Sequence, residues 1–185
     1  MTRILLRAWN APGLILLAAI LIAIETALFP ANVLRFFQPD ALVFLVIWCA
    51  LKRDFTEGGI LTLVFADIAE IHSGVPQGLF LIVYMTIYLL IRFFNRVLII
   101  WSYFPLTLAI TIGSKVLIWS VLRMLDVGDV LWKHMILFLF PSLFIQGLLA
   151  HWIYRWLAIY DRLTYKDMAA VQAMESGMLP EEEGL

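Results

Sequence analysis

Apolar residues in this chain come in long unbroken runs, not in the strict alternation of a half-buried strand. The first run extends from about Pro12 to Phe29. Five more follow: Ala41 to Leu51, Gly58 to Ile71, Leu79 to Ile91, Val97 to Leu122 and Met135 to Leu157. Runs of that length, broken by Pro, Gly and charged residues, predict six helices. The first run follows Arg3 and Arg7, as a secretory leader would. It is longer than a leader's apolar segment, and no small-residue cleavage site clearly follows it, so it reads as a retained helix. The second run is short for a bilayer, which needs roughly 20 residues, and fits either a short or tilted helix or one that only dips in.

Composition turns six helices into a membrane protein. Apolar residues make up 63% of the chain and charged residues 15%, too little polar surface for water on all sides. The expected fold is therefore an all-α, polytopic membrane helix bundle, with spans near 12–30, 40–51, 58–72, 78–92, 97–122 and 135–157. It forms one domain over 1–166, followed by a flexible cytoplasmic tail over 167–185 that carries Glu181, Glu182 and Glu183. The loops leave no room for a soluble catalytic domain. A net charge of −1 provides no field for nucleic acid. Cys49 is the only cysteine, so no internal disulfide can form, and it reads as a small buried hydrophobe.

The basic residues set an orientation. With six spans and the N-terminus inside, Arg3, Arg7, Lys52, Arg53, Arg92, Arg96, Arg155, Arg162 and Lys166 are cytoplasmic. Arg35, Arg123 and Lys133 are then outside and Lys115 is within a span. A five-span arrangement, in which the second run does not cross, separates the charges less well. Both termini are thus expected in the cytoplasm. Trp9, Trp48, Trp101, Trp132, Trp152 and Trp156 fall mostly near span ends, where headgroups suit an indole.

Four ionisable residues lie inside the runs: Glu25, Asp67, Glu70 and Lys115. Such groups are costly in hydrocarbon and usually face a bundle interior or a wet cavity. Asp67 and Glu70, at i and i+3, share a helix face, and Lys115 at similar depth is their expected partner. Two readings stand side by side: an outward-opening pocket for a ligand or partner helix, and an ion pair joining two helices. The inner half offers only Gln146 and His151, too few for a proton or ion path. His72, His134 and His151 lack metal-ligand spacing, and no nucleophile–base order or phosphate-binding glycine loop is present. No catalytic residues, metal or cofactor are expected.

One stretch is more specific. Pro39-Asp40 precedes an apolar helix that ends at Lys52-Arg53. Gly58-Gly59 then leads to Asp67, followed by Gly74-Val75-Pro76-Gln77-Gly78 and a helix reaching Arg92. Read as physics, Asp40 can cap a helix N-terminus, Gly74, Pro76 and Gly78 make a tight turn, and Arg53 and Arg92 can hold helix ends at headgroups. In order and spacing, this segment resembles the rod shape-determining protein MreD of bacteria; the remainder matches only in hydropathy. Glu70 and Lys115 map to no motif of that family. The resemblance implies a non-enzymatic subunit of the cell-elongation machinery in the inner membrane. It would work with MreC and, through it, the RodA glycosyltransferase, a class B penicillin-binding protein and the actin-like MreB, in lateral peptidoglycan synthesis. It also implies a fold similar to the six-helix substrate-binding subunits of energy-coupling-factor vitamin transporters. Such a subunit, holding a small metabolite near Glu25, Asp67, Glu70 and Lys115, is the alternative reading. An intramembrane enzyme is the weakest.

Overall fold

The computed structural model describes residues 9–28, 39–73, 76–97, 103–124 and 131–164. Among the described residues the chain forms six helices and no strand. They are α1 (Asn10–Leu28), α2 (Ala41–Lys52), α3 (Phe55–Ser73), α4 (Leu79–Val97), α5 (Tyr103–Met124) and α6 (Leu131–Thr164). The expectations for the terminal Arg3 and Arg7, for Gly74 and for the tail from residue 167 lie outside the described residues.

The arrangement is five helices around one. Helix α2 packs against all of the others, and neighbours around the rim meet in the order α1–α3–α4–α5–α6. Ten consecutive residues of α2, Ala41 to Ala50, are buried, whichever way they point. A helix apolar on every side has no wet face to offer, so it must be enclosed. Five partners achieve that. At twelve residues α2 is about 18 Å long, well short of a bilayer's hydrocarbon core.

Local chemistry fixes both ends of α2. Asp40 occupies the N-cap in an extended conformation, and its side chain accepts a 3.3 Å bond from the Val43 amide. At the other end Arg53 is extended and its N–H returns to the Cys49 carbonyl. Only Arg53 and Asp54 separate α2 from α3, so the two helices fold back tightly on each other. Gly58 permits this close return: a Cβ there would stand 3.0 Å from both the Cys49 carbonyl oxygen and the Tyr88 hydroxyl. The next reversal uses Gly78 at φ +89°, a backbone conformation that L side chains rarely adopt. The Leu79 amide bonds back to the exposed Pro76 across this turn.

The long fifth run divides differently from expectation. Residues up to Val97 continue α4, and α5 begins only at Tyr103. Arg92, Asn95 and Arg96, which interrupt the apolar pattern, continue the helix and do not end it. Helix α6 runs 34 residues with Pro141 inside it. By length and apolar composition one described helix, α1, is able to cross a membrane, and Ala41–Lys52, Leu79–Asn95 and Pro105–Ile118 are shorter apolar helices.

The rim helices bury one side and leave apolar residues on the other. Helix α3 inserts Leu61, Phe65 and Ala69 into the core while Ile60, Leu63 and Ile71 stay exposed. Helix α6 buries Gln146, Ala150, Tyr154 and Leu157 and exposes Phe140, Phe144, Leu148, Trp152 and Trp156.

The two glycines that open α3 are predicted to differ sharply. Gly58→Val should destabilise by about 1–3 kcal/mol through overpacking against α2. Gly59→Ala should be neutral or stabilising by up to about 1 kcal/mol, because its Cβ would meet only the Tyr88 ring at 3.8 Å. Thermal unfolding of the two variants in the same detergent checks the contrast.

Candidate functional site

The polar side chains of the interior gather in two layers, one at each end of α2. At the C-terminal end, the Arg53 side chain is 0% exposed and its guanidinium forms an ion pair with Asp161 of α6. Asp161 also accepts a 2.8 Å bond from the Trp48 indole N–H and a longer one from the Asn10 amide. Asn10 donates to Thr164 as well, and the Tyr160 hydroxyl donates to the backbone carbonyls of Trp9 and Asn10. Glu57, one turn into α3, approaches Arg53 at 4.0 Å. One carboxylate thereby ties α1, α2 and α6 together. Beside it, Tyr88 donates to the Phe55 carbonyl at 2.7 Å, and Arg92 donates to the Tyr88 hydroxyl while lying against its ring.

At the N-terminal end of α2 the organiser is Asp40. Its carboxylate accepts from the Tyr84 hydroxyl at 2.8 Å as well as from Val43. Its backbone is matched by a fully buried amide: the Asp40 N–H donates to Gln146 Oε1, and Gln146 Nε2 donates to the Asp40 carbonyl, both at 2.9 Å. Glu25 accepts from the Ala41 N–H at 3.3 Å, and the Lys115 ammonium acts electrostatically on Asp40. A helix start leaves free N–H groups and a partial positive charge, and these carboxylates answer both. Helices α1, α2, α4 and α6 all bond within this one layer.

The two layers are joined by Tyr154, whose ring stacks on Trp48 and meets Phe44 edge-on, and whose hydroxyl shares a 2.8 Å bond with Thr107. Thr111 and Ser114, buried on α5, bond back to carbonyls of their own helix.

The four ionisable residues singled out in the sequence do not form one pocket. Glu25 and Lys115 join the Asp40 layer. Glu70 instead caps α4, accepting from the Gly78 and Leu81 amides at 3.0 Å each. Its expected pairing with Lys115 is therefore corrected: α3 and α5 are not among the extensively packed helix pairs. Among the described residues both ion pairs within 4.0 Å belong to Arg53. Asp67 and Glu70 do not share a neighbourhood either. Asp67 is exposed on the outer side of α3, between Leu63 and Ile71.

Two further expectations are corrected. Arg53 is not at the surface holding a headgroup but enclosed with Asp161, because it turns inward toward α6 while its neighbours Lys52 and Asp54 are exposed. Trp48, expected at an interface, is 3% exposed because it lies in the enclosed stretch of α2. Asp161, Tyr84 and Asn10 went unrecognised in the sequence. Asn10 and Asp161 lie beyond the ends of apolar runs, where polar residues are ordinary, and Tyr84 lies inside one, where an aromatic ring passes as core, so only the fold shows their partners.

Among the described residues no three His, Cys, Asp or Glu side chains gather as a metal group would. What the two layers do chemically is satisfy the ends of α2 and tie α1, α3, α4 and α6 to it. Comparison with family models, with curated proteins and with solved structures returns no match.

Breaking the two layers should have different signatures. Asp161→Ala leaves Arg53 buried without its carboxylate and should cost about 3–5 kcal/mol, whereas Arg53→Met combined with Asp161→Leu should recover most of that loss. Gln146→Leu orphans the Asp40 amide and carbonyl and should cost about 1–3 kcal/mol. Denaturation midpoints of the three variants in one detergent system decide the order.

Proposed function

We propose that this chain is a non-enzymatic, multi-pass scaffold of the bacterial inner membrane, an MreD-like subunit of the cell-elongation complex. The observation that carries the reading is the inverted distribution of side chains. The charged and amide groups of the interior sit in two internally bonded layers, and the rim helices turn Leu, Ile, Phe and Trp outward beside a few charged residues. Water would penalise that outer surface, since contiguous exposed apolar area on soluble proteins is small. Lipid tails and partner helices would not.

The segment that resembles MreD corresponds to α2, α3 and α4, and its motif residues have concrete tasks in this fold. Asp40 caps α2, Arg53 seals its far end, Gly58 allows α3 to return, and Gly78 turns the chain into α4. Arg92 braces Tyr88 at the α3 start. These are the positions a rigid presenter of lateral faces needs. The partners implied are MreC and, through it, RodA, a class B penicillin-binding protein and MreB, with membrane lipid around the remainder. Both termini are read as cytoplasmic. The short α2 fits within such a bundle because it is lined by protein on all sides and need not meet lipid at either end.

One arrangement favours the second reading, a vitamin-binding transporter subunit: Glu25, Asp40, Tyr84, Lys115 and Gln146 converge at one level. Against it, Asp40, Tyr84 and Gln146 are already engaged with each other and with the start of α2.

The test is mild-detergent purification of the tagged full chain from carbonate-washed native membranes, with mass spectrometry of proteins and small molecules. Retention in the washed membrane together with MreC, RodA or a penicillin-binding protein is expected. Co-purification of an ATPase module or a retained vitamin replaces the scaffold with the transporter subunit. Release by carbonate removes the membrane reading altogether.

A further inference from the structure

The outer face of α3 follows the stripe Ile60, Leu63, Asp67, Ile71, three apolar residues and one carboxylate, all exposed. The outer face of α6 follows Leu148, His151, Trp152, Arg155 and Trp156, also all exposed. Asp67 therefore stands in an outward apolar setting, with no basic side chain within ion-pair distance among the described residues. His151 and Arg155 occupy the same kind of setting with the opposite character. If the chain is a membrane scaffold, as proposed above and as this inference requires, each of these groups would face hydrocarbon. Ionisable residues there are expensive and ordinarily find polar partners.

The depths agree. Measured from the Arg53 end of the bundle, Asp67 lies twelve residues beyond Phe55, about 18 Å along α3. His151 lies ten residues before Asp161, about 15 Å along α6, and Arg155 about 9 Å. Helical side chains lean toward the N-terminus of their own helix. In α6 that carries Arg155 deeper, and in α3 it carries Asp67 back toward the Arg53 end, so the two approach a common level. An aspartate is too short to reach a headgroup from mid-depth, which sets it apart from a snorkelling arginine.

We infer that the Asp67 face of α3 docks against the His151–Arg155 face of α6 in a second copy of this chain. One copy supplies the carboxylate and the next supplies the imidazole and guanidinium, with Ile60, Leu63 and Ile71 packing against Trp152 and Trp156. The contact is heterologous, because different surfaces meet, so copies join head to tail in the membrane plane, into a ring or an open row. The outer faces of α1, α4 and α5 stay free for lipid and for the helices of other subunits. A row of scaffolds would hold several synthetic enzymes along one line.

Cysteine cross-linking tests the pairing in the full chain. Differently tagged Asp67→Cys and His151→Cys chains are co-expressed, with the enclosed Cys49 left in place, and membranes are oxidised after a carbonate wash. A disulfide-linked heterodimer is expected only when both variants are present, at least tenfold above either variant alone and above a Leu90→Cys control on the outer face of α4. Separately, Asp67→Arg should reduce energy transfer between labelled copies in lipid nanodiscs several-fold, and adding Arg155→Asp should restore it. A chain that stays in the washed membrane yet gives no heterodimer, or cross-links equally at Leu90, overturns the pairing while leaving the scaffold reading intact. Adducts of Asp67→Cys with another membrane protein in place of the His151→Cys chain also overturn it. Release of the chain by carbonate overturns the scaffold reading and the pairing together.

Discussion

The structure is organised around the enclosure of α2. A helix whose first ten residues are all buried has no exposed side over that length, and only Lys52 at its end is exposed. Its first amides and the buried Arg53 that follows it are therefore satisfied by protein. Asp40 with Gln146, Glu25 and Tyr84 performs this at one end, and Arg53 with Asp161 at the other. Each group left unmatched in that setting would cost on the order of 1–3 kcal/mol, and an unpaired charge more.

Because those partners come from α1, α4 and α6, satisfying α2 also ties these rim helices together. Asp161 brings the end of α6 to the start of α1, and Gln146 holds the middle of the same helix to Asp40. Two residues near the chain's start and end are thus pinned to a helix close to its beginning in sequence. Apolar association alone distinguishes poorly between alternative helix orders when the surroundings are also apolar, and directional bonds are better suited to choosing one. The specificity of the bundle rests on these two layers.

The same constraint separates interior from exterior chemistry. Glu25, Lys115 and Glu70 are all drawn into capping or into the Asp40 layer, so the interior polar residues are structural. The groups left for interaction are the ones turned away from the core, above all Asp67 on α3 and His151 with Arg155 on α6. On the proposed scaffold reading, a self-contained interior lets the chain present such faces without disturbing its fold.

Six helices, their all-α character and most of their boundaries could be read from the sequence. Long apolar runs admit little else, and capping and turn residues such as Asp40 and Gly78 announce their places locally. The end of α4 could not be read, because Arg92, Asn95 and Arg96, which break the apolar pattern, are carried inside the helix to Val97. Nor could the destinations of Arg53, Trp48, Glu70 and Asp67. Whether a residue at the end of a run meets a headgroup or a buried carboxylate depends on which helix is enclosed, and enclosure depends on all six at once. Sequence spacing placed Asp67 and Glu70 on one face of one helix. Only the tertiary structure decided that Glu70 would turn to the start of α4 and Asp67 would face outward, because a free helix start lies within reach of one and, among the described residues, no partner lies within reach of the other.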